Sequence, residues 1–349
     1  MGYEDLTPQQ VLDALDAVGL RGDGRILQLN SYENRVFQVF LEDGRVVVPK
    51  FYRPGRWSDE QILEEHAFAL ELTEAEVPVV PPMVLSGVAT VPWHGGSEQP
   101  PERSHPGLLG HPPTLACWAG HRYAVAQRCA GREPELDRPG VLQRIGGFIG
   151  RLHAVGRRSA FAQRHHLDAR RDGRRAVALV LDGGFVPADQ SGAWQRAAEA
   201  ALTAIASAFD GFDPAAPLAT LRLHGDCHIG NILWRESEGG SGAHVVDLDD
   251  AMQGPAVQDL WMLASGDSGT ETHRLDQLLD GYEAFSPFDD RERALVEPLR
   301  TLRMLRHSAW LAERWSDPTF PINFPFFGTS AYWSQQTAQL REQLEAMRG

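Results

Sequence analysis

An aspartate followed by an asparagine five positions later forms the first candidate site in this chain. The segment His224-Gly-Asp226 leads to Asn231, the spacing that kinase catalytic loops use. An aspartate at that position can accept the proton of an attacking hydroxyl, and the asparagine amide oxygen can ligate Mg²⁺. A further carboxylate, Asp247, follows a short apolar run, where it can hold metal between two phosphates. This order of residues predicts phosphoryl transfer.

The carboxylates of this site have different predicted roles. We assign the base to Asp226 and the metal contacts to Asn231 and Asp247. Asp249 lies two residues after Asp247, so in an extended segment the two share a face and Asp249 can assist with the metal. Asp250 is expected in a turn or at the surface.

A lysine in the first part of the chain adds to this chemistry. Two strand-like runs, 35–41 and 45–52, flank residues 42–44, which is typical of a β-hairpin. Lys50 lies on an otherwise apolar face of the second run. Pro49 cannot donate to a strand ladder, so we expect an edge position or a bulge there.

The next segment predicts a helix that points one carboxylate inward. Ser58 and Gln61 form a capping box that opens a helix through about residue 72. At about 100° per residue, Glu65 falls within the apolar stripe of this helix. A buried lysine needs an anionic partner, so we expect a Lys50–Glu65 ion pair that positions the lysine on the nucleotide phosphates. The alternative is a structural ion pair without a ligand.

Two other segments are candidates for nucleotide contacts. The turn before the hairpin contains Ser31 and Asn34, residue types that tolerate turns whose N–H groups face phosphates; an unligated hairpin turn is the alternative. The strand-like run 121–129 leads into a small-residue connector typical of a hinge between lobes. We expect Gln127 and Cys129 to contact the adenine edge.

Size and charge restrict the class of protein. The chain has 349 residues, 42% hydrophobic and 23% charged, with a net charge of −14. This length exceeds the roughly 250–300 residues of a single core, which predicts two lobes. We place them at 1–127 and 128–349, with an irregular Pro-rich insertion at about 92–120. The negative charge disfavours nucleic acid as a partner, and no apolar run reaches the roughly 18–20 residues of a membrane span. We expect a cytoplasmic monomer.

The histidines and the cysteine of the loop admit other interpretations. His224 and His228 flank Cys227, but no second Cys or His pair follows at zinc spacing, and Asp and Asn oxygens suit harder cations. We expect Cys227 to be a packed thiol. His153 is expected to pack at a helix end, and Asp259 is expected to brace the catalytic loop.

With these residues in place, the sequence resembles the aminoglycoside phosphotransferase-like kinases of the protein-kinase-like superfamily. It is more closely similar to a bacterial branch of that family that phosphorylates proteins. The resemblance covers residues from about 27 to 333. The motifs that carry it are His224-Gly-Asp226 with Asn231, Asp247-Leu-Asp249, Gly254-Pro255 with Asp259-Leu260, Asn30-Ser-Tyr-Glu-Asn-Arg-Val36, Lys50-Phe-Tyr-Arg-Pro-Gly-Arg-Trp57, Gln61-Ile-Leu-Glu-Glu-His66, Leu223-His-Gly-Asp-Cys-His228 and Arg314-Trp-Ser-Asp-Pro318.

The resemblance implies an α+β, two-lobed protein-kinase-like fold with a small β-rich N-lobe and a larger, mainly helical C-lobe. It also implies transfer of phosphate from ATP, with Mg²⁺, to Ser or Thr of proteins in a stress response, with autophosphorylation as one reaction to test. By the family pattern, Asp226 accepts the proton, Asn231 and Asp247 bind magnesium, and Ser31 contacts ATP. Two alternatives stay open: a small-molecule hydroxyl kinase of the aminoglycoside, choline or homoserine kinase type, and a nucleotide-binding module without turnover.

Overall fold

An antiparallel five-stranded sheet forms the first lobe of the computed structural model, which describes residues 3, 6–86, 113–237, 240–266 and 268–348. Its strands are β1 (Gly22–Leu29), β2 (Arg35–Leu41), β3 (Val46–Phe51), β4 (Ala116–Trp118) and β5 (His121–Gln127). They lie in the order β1-β2-β3-β5-β4. The hairpin predicted from residues 35–52 is therefore confirmed as β2 and β3.

Two helices flank this sheet, and each begins at a side-chain cap. Helix α1 spans Pro8–Ala17, and the side chain of Thr7 accepts from the backbone N–H of Gln10. Helix α2 spans Asp59–Glu74, with the capping box between Ser58 and Gln61. Each box satisfies N–H groups that a helix start leaves without partners.

Pro49 lies in a central strand, which corrects the expected edge or bulge. Strand β3 is the third of the five strands, and Pro49 pairs with Val125 of β5 in a constant register. The missing N–H removes a ladder bond on one side only. On the other side of β3, the pairing with β2 is interrupted at residues 48 and 49. The register is the same before and after this interruption, with the pairs Arg35–Phe51, Val36–Lys50, Val39–Val47 and Phe40–Val46.

Helices make up most of the described chain after β5, which ends at Gln127 beside the predicted lobe boundary; the boundary itself stays a prediction. The helices are α3 (Val141–Gly156), α4 (Ala169–Asp182), α5 (Ala188–Asp210), α6 (Trp261–Ala264), α7 (Ser268–Tyr282), α8 (Val296–Glu313), α9 (Thr319–Asn323) and α10 (Ser330–Ala346). Helices α3 and α7 pack in close contact, because a Cβ at Gly146 would lie 1.8 Å from the carbonyl oxygen of Leu278. Within the described ranges, no helix is long and apolar enough to cross a membrane.

In the helical lobe, two short strand pairs flank the segments that contain the candidate site residues. They are formed by β6 (Leu221–Leu223) with β9 (Met252–Gly254), and by β7 (Ile232–Ser237) with β8 (Gly240–Val245). The run Gly239-Gly-Ser-Gly242 predicts a turn, but β8 already begins at Gly240, which pairs with Ser237. Residues 238–239 lie outside the described residues, as does most of the predicted insertion at 92–120.

Candidate active site

A cleft of about 2190 Å³ lies between the sheet and the helical lobe. Asp226, Asn231 and Asp247 line it from the helical lobe, and Lys50 lines it from β3. The structure thus brings together four residues that are far apart in sequence. Their approach depends on the β7–β8 hairpin, since Asn231 precedes β7 and Asp247 follows β8.

The conformation of the catalytic loop explains the glycine between His224 and Asp226. Gly225 has φ +87°, and a Cβ there would lie 2.1 Å from the carbonyl oxygen of Asp250. Only glycine fits such a position. The Asn231 side-chain Nδ2 donates to the Asp226 carbonyl oxygen over 2.9 Å, which fixes the asparagine within the loop and leaves its amide oxygen for a ligand.

Asp259 braces this loop from below, as the sequence predicts. Its carboxylate accepts the backbone N–H groups of His224 at 2.7 Å and Gly225 at 2.8 Å. The buried His153 lies 3.0 Å from the same carboxylate and 2.9 Å from the Tyr282 hydroxyl. Burial alone would raise the pKa of Asp259, but His153 and the other donors lower it. His153 lies in the last turn of α3, as expected, and it holds the Asp259 carboxylate without lining the cleft.

Asp247 follows β8 in a left-handed conformation, with φ +63°. Its carboxylate lies 3.7 Å from the Lys50 ammonium, and about half of the side chain (52%) is exposed to the cleft. Loss of hydration within the cleft raises the pKa of the Asp247 carboxyl. Lys50 opposes this shift, and the neighbouring Asp249 and Asp250 add to it.

Asp249 does not share an extended face with Asp247, which corrects the sequence expectation. Leu248–Asp250 is a 3₁₀ turn, and it directs the Asp249 carboxylate toward buried donors. Lys50 lies 3.4 Å from one oxygen, while Arg56 and the Asn34 amide (3.1 Å) contact the other. Burial alone would raise the pKa of Asp249, but these cations lower it. A metal contact from Asp249 stays a prediction.

Lys50 pairs with carboxylates other than the expected one. Within 4.0 Å its ion pairs, among the described residues, are those to Asp247 and Asp249. Glu65 is buried as predicted, but one of its oxygens has no hydrogen-bond partner in the described structure. The expected Lys50–Glu65 ion pair is therefore not formed within 4.0 Å among the described residues. Burial raises the pKa of Glu65, and Lys50 opposes this shift.

The remaining predicted contact residues lie around the same cleft. Ser31, Asn34, Gln127 and Cys129 all line it. The Ser31 hydroxyl accepts the backbone N–H of Asn34 at 3.3 Å, which folds the turn between β1 and β2. Nucleotide contacts by these residues stay predictions. Cys227 is a buried thiol whose pKa burial raises well above its usual value, as expected of a packed cysteine.

The sequence profile of the phosphotransferase enzyme family matches residues 25–296, more than half of the chain. The chain belongs to this family. Curated relatives in Salmonella choleraesuis and Escherichia coli K12, both named stress response kinase A, are 39% identical over 99% of this chain and 94% of their own length. A relative in Salmonella typhimurium, with the same identity and coverage, is named serine/threonine protein kinase RdoA.

Solved structures of kinases share the fold of this phosphotransferase. Amicoumacin kinase hAmiN, in complex with AMP-PNP, Ca²⁺ and Ami, superposes with a TM-score of 0.67 at 19% identity, covering 99% of this chain and 96% of its own. A microcompartment-associated aminopropanol kinase gives 0.67 at 17% identity and 98% coverage of both chains. The predicted α+β, two-lobed kinase-like fold is confirmed, and the protein is a phosphotransferase with a hydroxyl acceptor.

Two arginines of the phosphotransferase site were not predicted from sequence. Arg56 contacts the carboxylates of Asp249 and Asp250 (2.6 Å to the latter) from the segment between β3 and α2. The motif Lys50-Phe-Tyr-Arg-Pro-Gly-Arg-Trp57 signalled this segment without giving Arg56 a role. Arg303 of α8 donates to one carboxylate oxygen of Asp226, and no sequence signal placed α8 beside the loop.

Glu33 joins the turn after β1 to the helical lobe. Its carboxylate accepts the Trp310 indole N–H at 2.7 Å and Arg314 at 2.7 and 2.9 Å, and lies 3.2 Å from Arg53. Arg53 also contacts Asp317 at 3.0 Å. The turn that contains Ser31 is therefore held across the cleft opening.

Proposed function

We propose that this phosphotransferase transfers the γ-phosphoryl group of ATP, with Mg²⁺, to Ser and Thr hydroxyls of proteins in a cellular stress response. The observation that carries the proposal is the meeting of Asp226, Asn231, Asp247 and Lys50 in one cleft. The relatives named stress response kinase A and serine/threonine protein kinase RdoA support the protein acceptor. The proposal includes a cytoplasmic monomer that can phosphorylate itself.

Asp226 is the group that we assign to the acceptor hydroxyl. It accepts the hydroxyl proton while the acceptor oxygen forms a bond to the γ-phosphorus. The bond from that phosphorus to the bridging oxygen breaks, and ADP leaves with its electron pair. Arg303 donates to one oxygen of this carboxylate, and the second oxygen, which lies 3.6 Å from the His228 imidazole, is the one that we assign to the hydroxyl.

The donor set fits a magnesium ion. Asp247 presents a half-exposed carboxylate, and Asn231 has its amide nitrogen bonded within the loop, so two oxygens of the type that Mg²⁺ prefers are available. We assign these two residues as ligands, with Asp249 in support. When bound, Mg²⁺ neutralises charge that develops on the phosphates. The solved relative with AMP-PNP and Ca²⁺ supports a nucleotide and a divalent cation.

The sheet supplies the nucleotide contacts in this proposal. Lys50 reaches the phosphates from β3 and Ser31 from the preceding turn, where Asn34 fixes the backbone. Gln127 and Cys129 read the adenine edge at the lobe boundary. Glu65 receives the Lys50 ammonium when the phosphates draw it away from Asp249, which would satisfy the buried Glu65 oxygen.

Labelled ATP tests the proposal directly. The purified protein is incubated with γ-labelled ATP and Mg²⁺, alone and with a whole-cell extract, beside Asp226→Asn and the control Asp210→Asn, a surface residue paired with Arg170. We expect labelled polypeptides with the wild type and the control, and none with Asp226→Asn although it still binds ATP. Labelled metabolites without labelled protein would instead support a small-molecule kinase. ATP binding without any transfer would indicate a module without turnover.

A further inference from the structure

The wall of the cleft formed by α4 and α8 is rich in arginine, although the chain carries a net charge of −14. Four arginines and two carboxylates of these helices line the cleft. They are Arg171, Arg175, Arg303 and Arg306, with Asp172 and Glu313. The floor of the cleft carries four carboxylates together with the cations Lys50 and Arg56; the carboxylates are Asp226, Asp247, Asp249 and Asp250.

One stripe of α8 leads away from the proposed base. Arg303 contacts Asp226, and Arg306, His307 and Trp310 follow three, four and seven residues later and line the same cleft. Residues at this spacing share one face of a helix. A side chain next to the acceptor hydroxyl would therefore meet Arg306.

The two carboxylates of this wall are already paired. Asp172 lies 2.7 Å from His165 and 3.3 Å from Arg171. Glu313 lies 2.9 Å from Arg175 and 2.6 Å from Arg314. Arg306 has no ion pair within 4.0 Å in the described part of the chain, and it lies close enough to Asp172 and Asp250 to lower the pKa of both. Three arginines of the wall are therefore paired, Arg171 with Asp172, Arg175 with Glu313 and Arg303 with Asp226. Among the described residues, Arg306 is the arginine of this wall that has no ion pair.

We propose that the acceptor is an acidic polypeptide segment, in which Asp or Glu residues flank the Ser or Thr that receives the phosphate. The inference rests on the proposed function and names its substrate class. Arg306 contacts one flanking carboxylate, and Arg175 contacts another by exchanging its present partner Glu313. Arg303, which contacts one oxygen of Asp226, can also contact such a carboxylate. A cationic small alcohol would meet repulsion on this wall.

The size of the cleft agrees with an acceptor of this kind. Small-molecule sites enclose roughly 300–1,000 Å³, whereas this cleft encloses about 2190 Å³. Space for a segment of polypeptide remains beside a nucleotide.

Three peptides of equal length test the inference, each with one central Ser flanked by Glu, by Gln or by Lys. kcat/KM is measured with Mg²⁺-ATP at low and high salt for the wild type, Arg306→Gln, Arg306→Glu and Arg175→Gln. Arg174→Gln is the matched control, since this exposed residue of α4 does not line the cleft.

We expect the Glu peptide to exceed the Gln peptide by about tenfold and the Lys peptide by more, with a ratio that falls as salt rises. Arg306→Gln and Arg175→Gln should each reduce the ratio about threefold through the KM of the Glu peptide rather than the KM of ATP. Arg306→Glu should favour the Lys peptide, and Arg174→Gln should keep the wild-type ratio. Turnover of the Gln peptide reports that each variant is folded.

Different failures have different meanings. Equal phosphorylation of the three peptides would overturn the acidic acceptor and leave the proposed function standing. An unchanged ratio in Arg306→Gln, or an effect on the KM of ATP instead, would overturn the assignment to this wall. Phosphorylation of small alcohols with no peptide labelled would overturn the protein acceptor and this inference together.

Discussion

The buried Asp259 carboxylate accepts two N–H groups of the predicted catalytic loop, and we predict that Asp259→Asn destabilises that loop. The residue is fully buried and accepts the N–H groups of His224 and Gly225, with His153 at 3.0 Å. Asparagine has nearly the same shape but only one acceptor oxygen. One of the two backbone N–H groups would then face an amide N–H₂ group.

The size of the effect follows from these contacts. A hydrogen bond to a charged group contributes about 1.5–3 kcal/mol, and a buried N–H left without a partner costs about 1–3 kcal/mol. The two figures count part of the same loss, so they are not added in full. We expect Asp259→Asn to lower the free energy of unfolding by roughly 2–4 kcal/mol. The lowered pKa of Asp259 means that its contribution is present above the unfolded-state pKa and is lost as pH falls through the folded-state pKa. The difference between the variants should therefore shrink in acid.

Amide hydrogen exchange at His224 and Gly225 locates the effect, and urea unfolding measures its total. At about 1.4 kcal/mol per factor of ten, the exchange of these two amides should accelerate by roughly 30- to 700-fold. We expect kcat to fall because Asp226 follows directly on the loosened backbone. Asp210→Asn at an exposed ion pair with Arg170 is the control, and it should change the free energy of unfolding by less than about 1 kcal/mol.

A particular result would refute this reasoning. If Asp259→Asn kept its unfolding free energy within about 0.5 kcal/mol of the wild type and both amides exchanged at their original rates, the carboxylate would not support the loop. A loss of stability with normal exchange at His224 and Gly225 would place its role elsewhere.

Three further perturbations test the metal ligand, the phosphate-binding lysine and the pH dependence of the protein's stability. Asp247→Asn should weaken Mg²⁺-ATP binding by calorimetry, and an unchanged Kd would contradict the metal role. Lys50→Met should raise the KM for ATP; a normal KM would contradict phosphate binding. Burial raises the pKa of Glu292 to about 7, with Asp289 acting in the same direction and the Val257 N–H opposing it. The folded state therefore holds this proton to higher pH than the unfolded state, so wild-type stability should fall by roughly 3 kcal/mol between pH 5 and 8. In urea titrations Glu292→Gln should lack this fall, and its persistence would count against a buried proton.

Local signals predicted the elements that hold the site. The Ser58 cap marks where helix α2 begins, because a helix start leaves N–H groups that a nearby side chain can satisfy. The alternation of residues 35–52 predicted the lysine strand, and the helical phase placed Glu65 inside. These signals depend on neighbours within a few residues along the chain.

The errors occurred where distant segments meet. Pro49 suggested an edge strand, yet β5 pairs with β3 at this residue. The prediction was wrong because no residue near the proline signals pairing with a strand that lies more than 70 residues later in the sequence. Asp249 was placed by assuming an extended segment, whereas a 3₁₀ turn directs it to Arg56 and Lys50. The expected partner of Lys50 was chosen from one helix, although two carboxylates more than 190 residues away in sequence lie closer.

The sequence by itself determined the chemistry of this protein: which side chains can accept a proton or hold a cation, and the glycine that lets the loop turn. The tertiary structure alone decided which charges face each other, including Arg303 on the proposed base and the arginine wall of the acceptor side. The physical reason is that side-chain chemistry and spacing are local properties, whereas electrostatic energy depends on distances through space that only packing sets.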